Sequence, residues 1–470
     1  MHAPSWLGMW TGLVMLSSQS LDVSDHPNDA GKPAAYLHQA TVTQSATRER
    51  LRVLGDASTC GEARFVAYRR SDVEPDFADQ WYVASQLWAD ATLLRARREL
   101  PNPTVQLVRM LVPTSTAHSA NVEGNCHLDK GFIFLDRLWD HDDAGYHARS
   151  DVTGTKVERG ARYGDDNALA GLALLATMET TRDEGARVRY RHAARREADF
   201  LIRSGLWDET FGGGFWWNTD RGTTDEGKPA QTNALAALFF ARLYRVTGNE
   251  LYRTWAVRTL IWLDSVLYDP DRRLYRRSVR YEHPAERTGP PVTDPRYFNY
   301  DQGIAIEAQL DVAALDGDAG RVELARRVGL AVHDAFWGRE RGGYNLEAGV
   351  EQVYASYAAW TSLGHLALHE IDGAPHWLDL AQANARALDA HLGAPDGSYV
   401  LRHYRCVDQI ALGCESGEFS WVVDHTLDTA AQAWTQHLNV ALGASLARAH
   451  GGRLQAGRPG KGAPASPGSP

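Results

Sequence analysis

Six segments of this chain read as helices that are apolar on nearly every face. They start near Trp81 (WYVASQLWADATLL), Asp165 (DDNALAGLALLATM), Thr232 (TNALAALFFARLY), Asp301 (DQGIAIEAQLDVAAL), Val353 (VYASYAAWTSLGHLAL) and Asp424 (DHTLDTAAQAWTQHLNVAL). Apolar residues recur in them at three- and four-residue spacing, and strand-like alternation is scarce. A helix with no polar face has to be covered on all sides. Amphipathic helices that carry the charge alternate with these: Val188 to Arg203, Glu250 to Leu267, Arg321 to Phe336 and His376 to Leu392. A turn recurs after the amphipathic helices, reading LWDHDDAGYH at Leu138, LWDETFGGGFWWN at Leu206, LYDPDRRLYRR at Leu267, FWGRERGGYNLE at Phe336 and LGAPDGSYVLR at Leu392. Each copy runs from an apolar end through an Asp/Gly/Pro turn to an aromatic, strand-like step. The copies lie roughly 55 to 70 residues apart, a repeat-scale spacing.

Buried helices need a second shell, so the two kinds pack as concentric layers. An open solenoid would need polar end caps. Six hairpins can close instead, which predicts an all-α (α/α)6 toroid of six inner and six outer helices with short hairpin-like loops. Parallel inner helices then bring their N-termini to one mouth. The residues expected there are Trp81, Asp165-Asp166, Thr232-Asn233, Asp301-Gln302, Val353-Tyr354 and Asp424-His425. Five of these six positions carry polar groups, which makes a polar funnel over an apolar core.

The catalytic unit is expected over residues 76–450, preceded by an extension at 21–75 with few periodic signals. Trp6 to Leu16 resembles a signal-peptide apolar region, although no Lys or Arg precedes it, so residues 1–20 read as a signal peptide and the location as secreted or periplasmic. No later stretch is long and uncharged enough for a membrane span. The Gly, Pro, Ala and Ser of 451–470 predict a disordered tail. With a net charge of −10 and no basic stripe, nucleic acid is not an expected partner. The four cysteines, Cys60, Cys126, Cys406 and Cys414, permit two disulfides or buried free thiols. No zinc or redox spacing, HExxH, P-loop, GxSxG or dinucleotide fingerprint occurs, so no metal and no cofactor are expected.

What remains is acid chemistry. Asp165 and Asp166 open one of the inner helices, where Asp is a favoured N-cap, and the positive helix end favours their ionised forms. Two carboxylates among aromatics are the parts for glycoside cleavage, and the chain has 15 Trp. Neighbouring Cα atoms lie about 3.8 Å apart, so splayed carboxyls reach the separation of about 5 to 5.5 Å that retention requires. Their mutual repulsion pushes the two pKa values apart, leaving one acid ionised and one protonated. The rival cluster Asp140, Asp142 and Asp143 sits in the repeated turn, where Asp serves backbone geometry. Trp217 and Asn218 fall in a loop within reach of the mouth. Asn233 and Asp301 either bond sugar hydroxyls or cap their helices. His425 is the one histidine placed at the mouth; His192, His333 and His403 read as structural.

YGDDNALAGLALL, GGGFWWNTDR, KPAQTNALAALFFARLYRVTGN and FNYDQG, in this order, resemble glycoside hydrolase family 76, the endo-α-1,6-mannanases. The resemblance spans roughly 80–442. It implies an (α/α)6 toroid, no cofactor, and retention through an Asp pair, with Asp165 as nucleophile and Asp166 as general acid/base. It also places Trp217, Asn218, Asn233, Tyr300, Asp301 and Gln302 along the cleft, to which the helix-start argument adds Asp424 and His425. The chain departs from the family in having Gly164 between Tyr163 and the pair, and Asp301 as an extra acid. The expectation is a monomeric retaining hydrolase of α-1,6-linked mannan or a related mannose-rich glycan. The alternatives are a sugar epimerase or isomerase using His425 and His403, and a non-catalytic glycan-binding protein.

Overall fold

The computed structural model describes residues 31–71, 77–100, 117–221, 226–406 and 421–456. The signal-like run at 6–16, Cys414 and residues 457–470 lie outside them. The inner helices are α2 (Gln80–Glu99), α4 (Gly164–Thr180), α6 (Ala230–Thr247), α8 (Asn299–Asp316), α10 (Ala355–Asp372) and α12 (Thr429–Ala456). The outer ones are α1 (Gly31–Arg50), α3 (Ala117–Leu138), α5 (Glu184–Arg203), α7 (Glu250–Val266), α9 (Ala319–Phe336) and α11 (Pro375–Leu392). Each inner helix packs on the next, and α12 packs on α2, which closes the ring. The expected toroid is the fold. The alanine-rich inner helices approach closely: a Cβ on Gly303 of α8 would stand 2.9 Å from the Trp360 carbonyl of α10.

Five inner helices begin within two residues of the expected position. The last does not. Trp421–Leu427, which contains Asp424 and His425, is a strand paired with Val400–Arg405, and α12 starts only at Thr429. The alternation in WVVDHTL is a strand signal. It then runs on to Ala456, into the expected tail.

The expected N-terminal extension also differs. Its helix α1 is the sixth outer helix, packed on α12. Its buried face includes Thr41, Thr43, Gln44 and Thr47, so no apolar stripe marks it in the sequence. Polar contacts add to the packing of Ala34, Leu37 and Ala40: Thr43 donates to the Gly397 carbonyl at 2.8 Å, and Gln44 and Arg48 donate to buried Asp90 of α2 at 2.7 and 3.3 Å. Gln436 of α12 donates to the same carboxylate at 3.1 Å.

The repeated turns are small hairpins. Trp139 bridges Tyr146, Trp207 bridges Phe215, Tyr268 pairs with Tyr275, Trp337 bridges Tyr344, and Gly393 bridges Tyr399. A buried amide grips the aromatic residue's backbone N–H in every copy. Asn167 accepts from Tyr146 at 2.7 Å, Asn233 from Phe215 at 2.7 Å, Gln302 from Tyr275 at 2.8 Å and Gln432 from Tyr399 at 2.8 Å. These four amides stand four residues beyond their helix caps, on the first turn of an inner helix. In α10 the equivalent position is Ala358, and Asn384 of α11 takes over, accepting from Tyr344 at 3.1 Å. Each hairpin is thereby keyed to the ring.

Cys60 and Cys126 form a disulfide, and Cys406 is disulfide-bonded as well. Among the described residues, no helix is long and apolar enough to cross a membrane.

Candidate active site

The acid pair stands on the first turn of α4, but neither Asp caps it. The cap is Tyr163, which makes no side-chain cap bond, and the helix begins at Gly164. Gly164 is what lets this end of α4 dock. Its N–H donates to the Trp217 carbonyl at 2.7 Å, and a Cβ there would meet Thr232 at 2.9 Å and the Trp216 carbonyl at 3.3 Å. The glycine that interrupts the family pattern therefore brings the Trp217 strand against the acids.

The two carboxyls differ in what donates to them. Asp165 is 6% exposed; its Oδ2 accepts from the Trp217 indole at 3.1 Å and its Oδ1 from the Asp166 N–H at 3.1 Å. Burial raises its pKa and these donors restrain the rise, leaving it at about 6. Asp166 has no hydrogen-bond donor on its carboxyl among the described residues. Burial, then the negative charges of Asp165 and Asp79, push it well above the ordinary carboxylate range. The helix-end field expected to ionise both acids is worth about 1 kcal/mol, and desolvation outweighs it. The result is a donor-fed acid beside a donor-starved one.

Around the pair the mouth is acidic and aromatic. The Tyr163 ring stands edge-on to Trp217 at 4.8 Å, and Tyr300 packs on Tyr357 at 4.6 Å. Asp301 is 1% exposed with Oδ2 unbonded, and burial raises its pKa well above normal despite Arg277. Two acids that the sequence reading passed over join this rim. Asp79 caps α2, accepting from the Trp81 N–H at 3.0 Å, and burial lifts its pKa to about 7. Asp428 precedes α12, accepts from the Ala431 N–H at 3.1 Å, and burial lifts it to about 6 against the Tyr82 hydroxyl. The signal for both was an Asp immediately before an apolar helical run.

Several expected contacts are taken up by the scaffold. Asn233 and Gln302, placed along the cleft by the sequence, are 0% exposed, with their amide nitrogens donating to backbone carbonyls of Phe215 and Pro229, and of Tyr275 and Phe298. Asn218 accepts from the Asp220 N–H at 3.0 Å and so shapes the loop behind Trp217. Asp424 accepts from Arg402 at 3.2 Å, and His425 is an exposed strand residue. Asp428 occupies the helix start assigned to these two. Asp140 is tied up in its turn, accepting from the N–H groups of Asp142 and Asp143 and from Arg162. His403 is buried between His391 and Trp421, with ring centroids at 5.4 and 5.1 Å, and burial drops its pKa to about 4.

Residues 146–309 match the model of glycosyl hydrolase family 76. No curated protein is similar enough to match. Among solved structures, a family 76 mannosidase of Bacteroides thetaiotaomicron is similar at a TM-score of 0.62 and 17% identity, covering 88% of this chain and 99% of that one. The α-1,6-mannanase of Salegentibacter sp. is similar at 0.58 and 17%, covering 87% and 99%; an inactive variant of it, with two consecutive aspartates replaced, was solved with α-1,6-mannotetrose. A sugar epimerase from a ruminal bacterium reaches 0.60 at 12%, covering 87% and 98%. At these identities the structural likeness speaks for the fold alone. The sequence match covers the acid pair, Trp217 and the first half of α8; over that stretch the chain is similar to glycosyl hydrolase family 76, which supports glycoside hydrolase activity.

Proposed function

We propose that this protein is a retaining hydrolase of α-1,6-mannosidic linkages in mannan or a related mannose-rich glycan. The observation that carries the reading is the donor asymmetry of the pair. Asp165 accepts two hydrogen bonds that favour its ionised form, and the Asp166 carboxyl accepts none among the described residues. Asp165 is then the nucleophile and Asp166 the acid/base.

In the first step an Asp165 oxygen attacks the anomeric carbon and the glycosidic C–O bond breaks. The proton of Asp166 passes to the leaving oxygen. In the second, ionised Asp166 takes a proton from water, the water oxygen attacks the same carbon, and the ester to Asp165 breaks. Two inversions return the starting configuration. Trp217 serves twice, holding Asp165 through its indole N–H and offering a ring to the sugar. Asp79, Asp301 and Asp428 are proposed to meet sugar hydroxyls at the rim. The substrate class is supported by what the similar structures act on and bind. Two disulfide-bonded sites suit an oxidising, extracytoplasmic location.

The test is proton NMR of α-1,6-mannan during digestion. New reducing ends that first appear as the α-anomer support the reading, and β-anomers first would overturn retention. A product with altered ring stereochemistry and no new reducing ends would favour the epimerase alternative. Among the described residues neither His403 nor His425 bonds to the acid pair, which weighs against that alternative.

A further inference from the structure

Lys228 opens the KPAQTN stretch, in the short strand that leads into α6, and is 0% exposed. A buried ammonium needs its protons bonded and a counter-charge beside it. Lys228 has both. Its Nζ donates to the carbonyls of Asp208, Thr210 and Gly213 at 3.1, 2.7 and 2.6 Å and to Asp208 Oδ1 at 2.7 Å. The centre of the Trp216 ring lies 4.8 Å from it. Burial lowers its pKa to about 8, against Asp208 and Glu209 and with Arg221, so it is charged at pH 7.

The four oxygens belong to one turn, residues 208–213, with an unusual backbone. Phe211, Gly212, Gly213 and Gly214 have φ of 59°, 79°, 122° and 87°. The conformation is unfavourable at Phe211, and the glycines are free to leave it. Three carbonyls converging on one point suit an ammonium, a point charge with three donors, better than a planar guanidinium. In the matching turns Asp140 and Asp269 pair instead with Arg162 and Arg276, at 2.8 and 2.6 Å, through arginine side chains 14% and 31% exposed.

This turn leads into the strand that holds the nucleophile. The Trp216 indole donates to Asp208 Oδ2 at 2.8 Å, the other oxygen of the carboxylate that Lys228 grips. The Trp217 N–H donates to the carbonyl of Gly227, the residue before Lys228, at 2.9 Å. The Trp217 indole then donates to Asp165 at 3.1 Å. We propose that Lys228 is a positioning residue for the nucleophile: its ammonium fixes the turn that carries the Trp216-Trp217 step, and so fixes the indole against Asp165. The proposal rests on the reading of Asp165 as nucleophile, but the hydrogen bond it concerns can be measured without turnover.

The experiment follows the Trp217 indole N–H resonance in protein labelled with ¹⁵N-tryptophan, assigned with Trp217→Phe and titrated from pH 4 to 8. In the wild type it should follow Asp165 with a midpoint at about 6, and Asp165→Asn should abolish that titration. The groups facing Asp165 are Asp166 and Glu226, with the Tyr163 and Tyr357 hydroxyls, and Lys228→Met leaves all four in the chain. Lys228→Met should raise the midpoint by about one unit and lower mannan hydrolysis at pH 6 by about tenfold. In the Trp217→Phe background the same substitution should cost less than about twofold more, because the indole it positions is gone. A folded Lys228→Met protein with an unmoved midpoint overturns the proposal. So does a tenfold loss that persists undiminished in Trp217→Phe, since the ammonium then acts on Asp165 by another route. Circular dichroism reports folding; if Lys228→Met does not fold, Asp208→Asn, which keeps the side-chain shape and removes the counter-charge, is judged by the same two criteria. Absence of mannan hydrolysis would sink the proposed function, and the indole titration would still decide the role of Lys228.

Discussion

Two acidic clusters in this molecule have the same residue type and opposite electrostatics. In the turn at Leu138, burial pushes Asp140 upward, but the N–H groups of Asp142 and Asp143, Arg162 and His147 more than offset it, so its pKa lies below the ordinary value. At the start of α4, Asp166 is half-buried next to another acid and has no donor among the described residues, and desolvation and that acid put its pKa well above the ordinary value. Acid density therefore does not mark chemistry. A carboxyl left short of donors in a site that excludes water does. The turn acid stabilises the native state; the catalytic candidates cost stability so that one of them can keep a proton.

This comparison can be broken most directly at Asp165. Replacing it with Asn should reduce mannan hydrolysis by at least about 10³-fold. The same substitution should raise thermal stability at pH 7, because a folded pKa of about 6 means that ionising Asp165 opposes folding. That gain should fade as pH falls from about 6 to the unfolded value near 4, below which the acid is protonated in both states. Calorimetry across pH 4 to 8 checks it, and a stability loss at pH 7 would break the contrast with Asp140.

Trp217→Phe sharpens the role of the donor. It keeps a ring and removes the indole N–H, so Asp165 should titrate higher. Activity is expected to rise with pH through about 6 in the wild type and to fall where Asp166 loses its proton. In Trp217→Phe the rising limb should move to higher pH, with activity at pH 6 lower by about tenfold. An unmoved limb would mean that the indole does not set the nucleophile.

Gln302→Ala asks whether a mouth residue is scaffold. Leaving the Tyr275 N–H and carbonyl unsatisfied should cost about 2 to 3 kcal/mol in denaturant titration, with KM unchanged in the folded protein. A raised KM at unchanged stability would restore Gln302 to the substrate. Asp140→Asn should have the smallest effect, a loss of about 1 to 2 kcal/mol at pH 7 and activity within about twofold. Because the folded pKa of Asp140 is lowered, its contribution is present above the ordinary carboxylate value and disappears as pH falls through its folded pKa.

The ring was readable because its inner helices are apolar all round and its turns repeat. Those are patterns of period and spacing, and neighbouring residues are enough to detect them. The acid pair was readable from the same local cue, an Asp at a helix start. That cue failed at Asp424, where it was applied inside an alternating strand, and so passed over Asp428 four residues later. It also could not separate a rim residue from a structural one. Asn233 and Gln302 face hairpins that belong to other parts of the chain, and only the folded ring shows that their amides are taken. Helix α1 escaped because Thr and Gln interrupt its buried face, so that Ala34, Leu37 and Ala40 form no continuous apolar stripe.

The pairing of α1 with α12 sets an order of events during synthesis. The first helix of the ring can meet Asp90 of α2 early, but its main packing partner is the last helix. Asp90 meanwhile waits for Gln436, and the layer around it stays incomplete. The ring that encloses Asp165 and Asp166 is therefore closed only once α12 has been made.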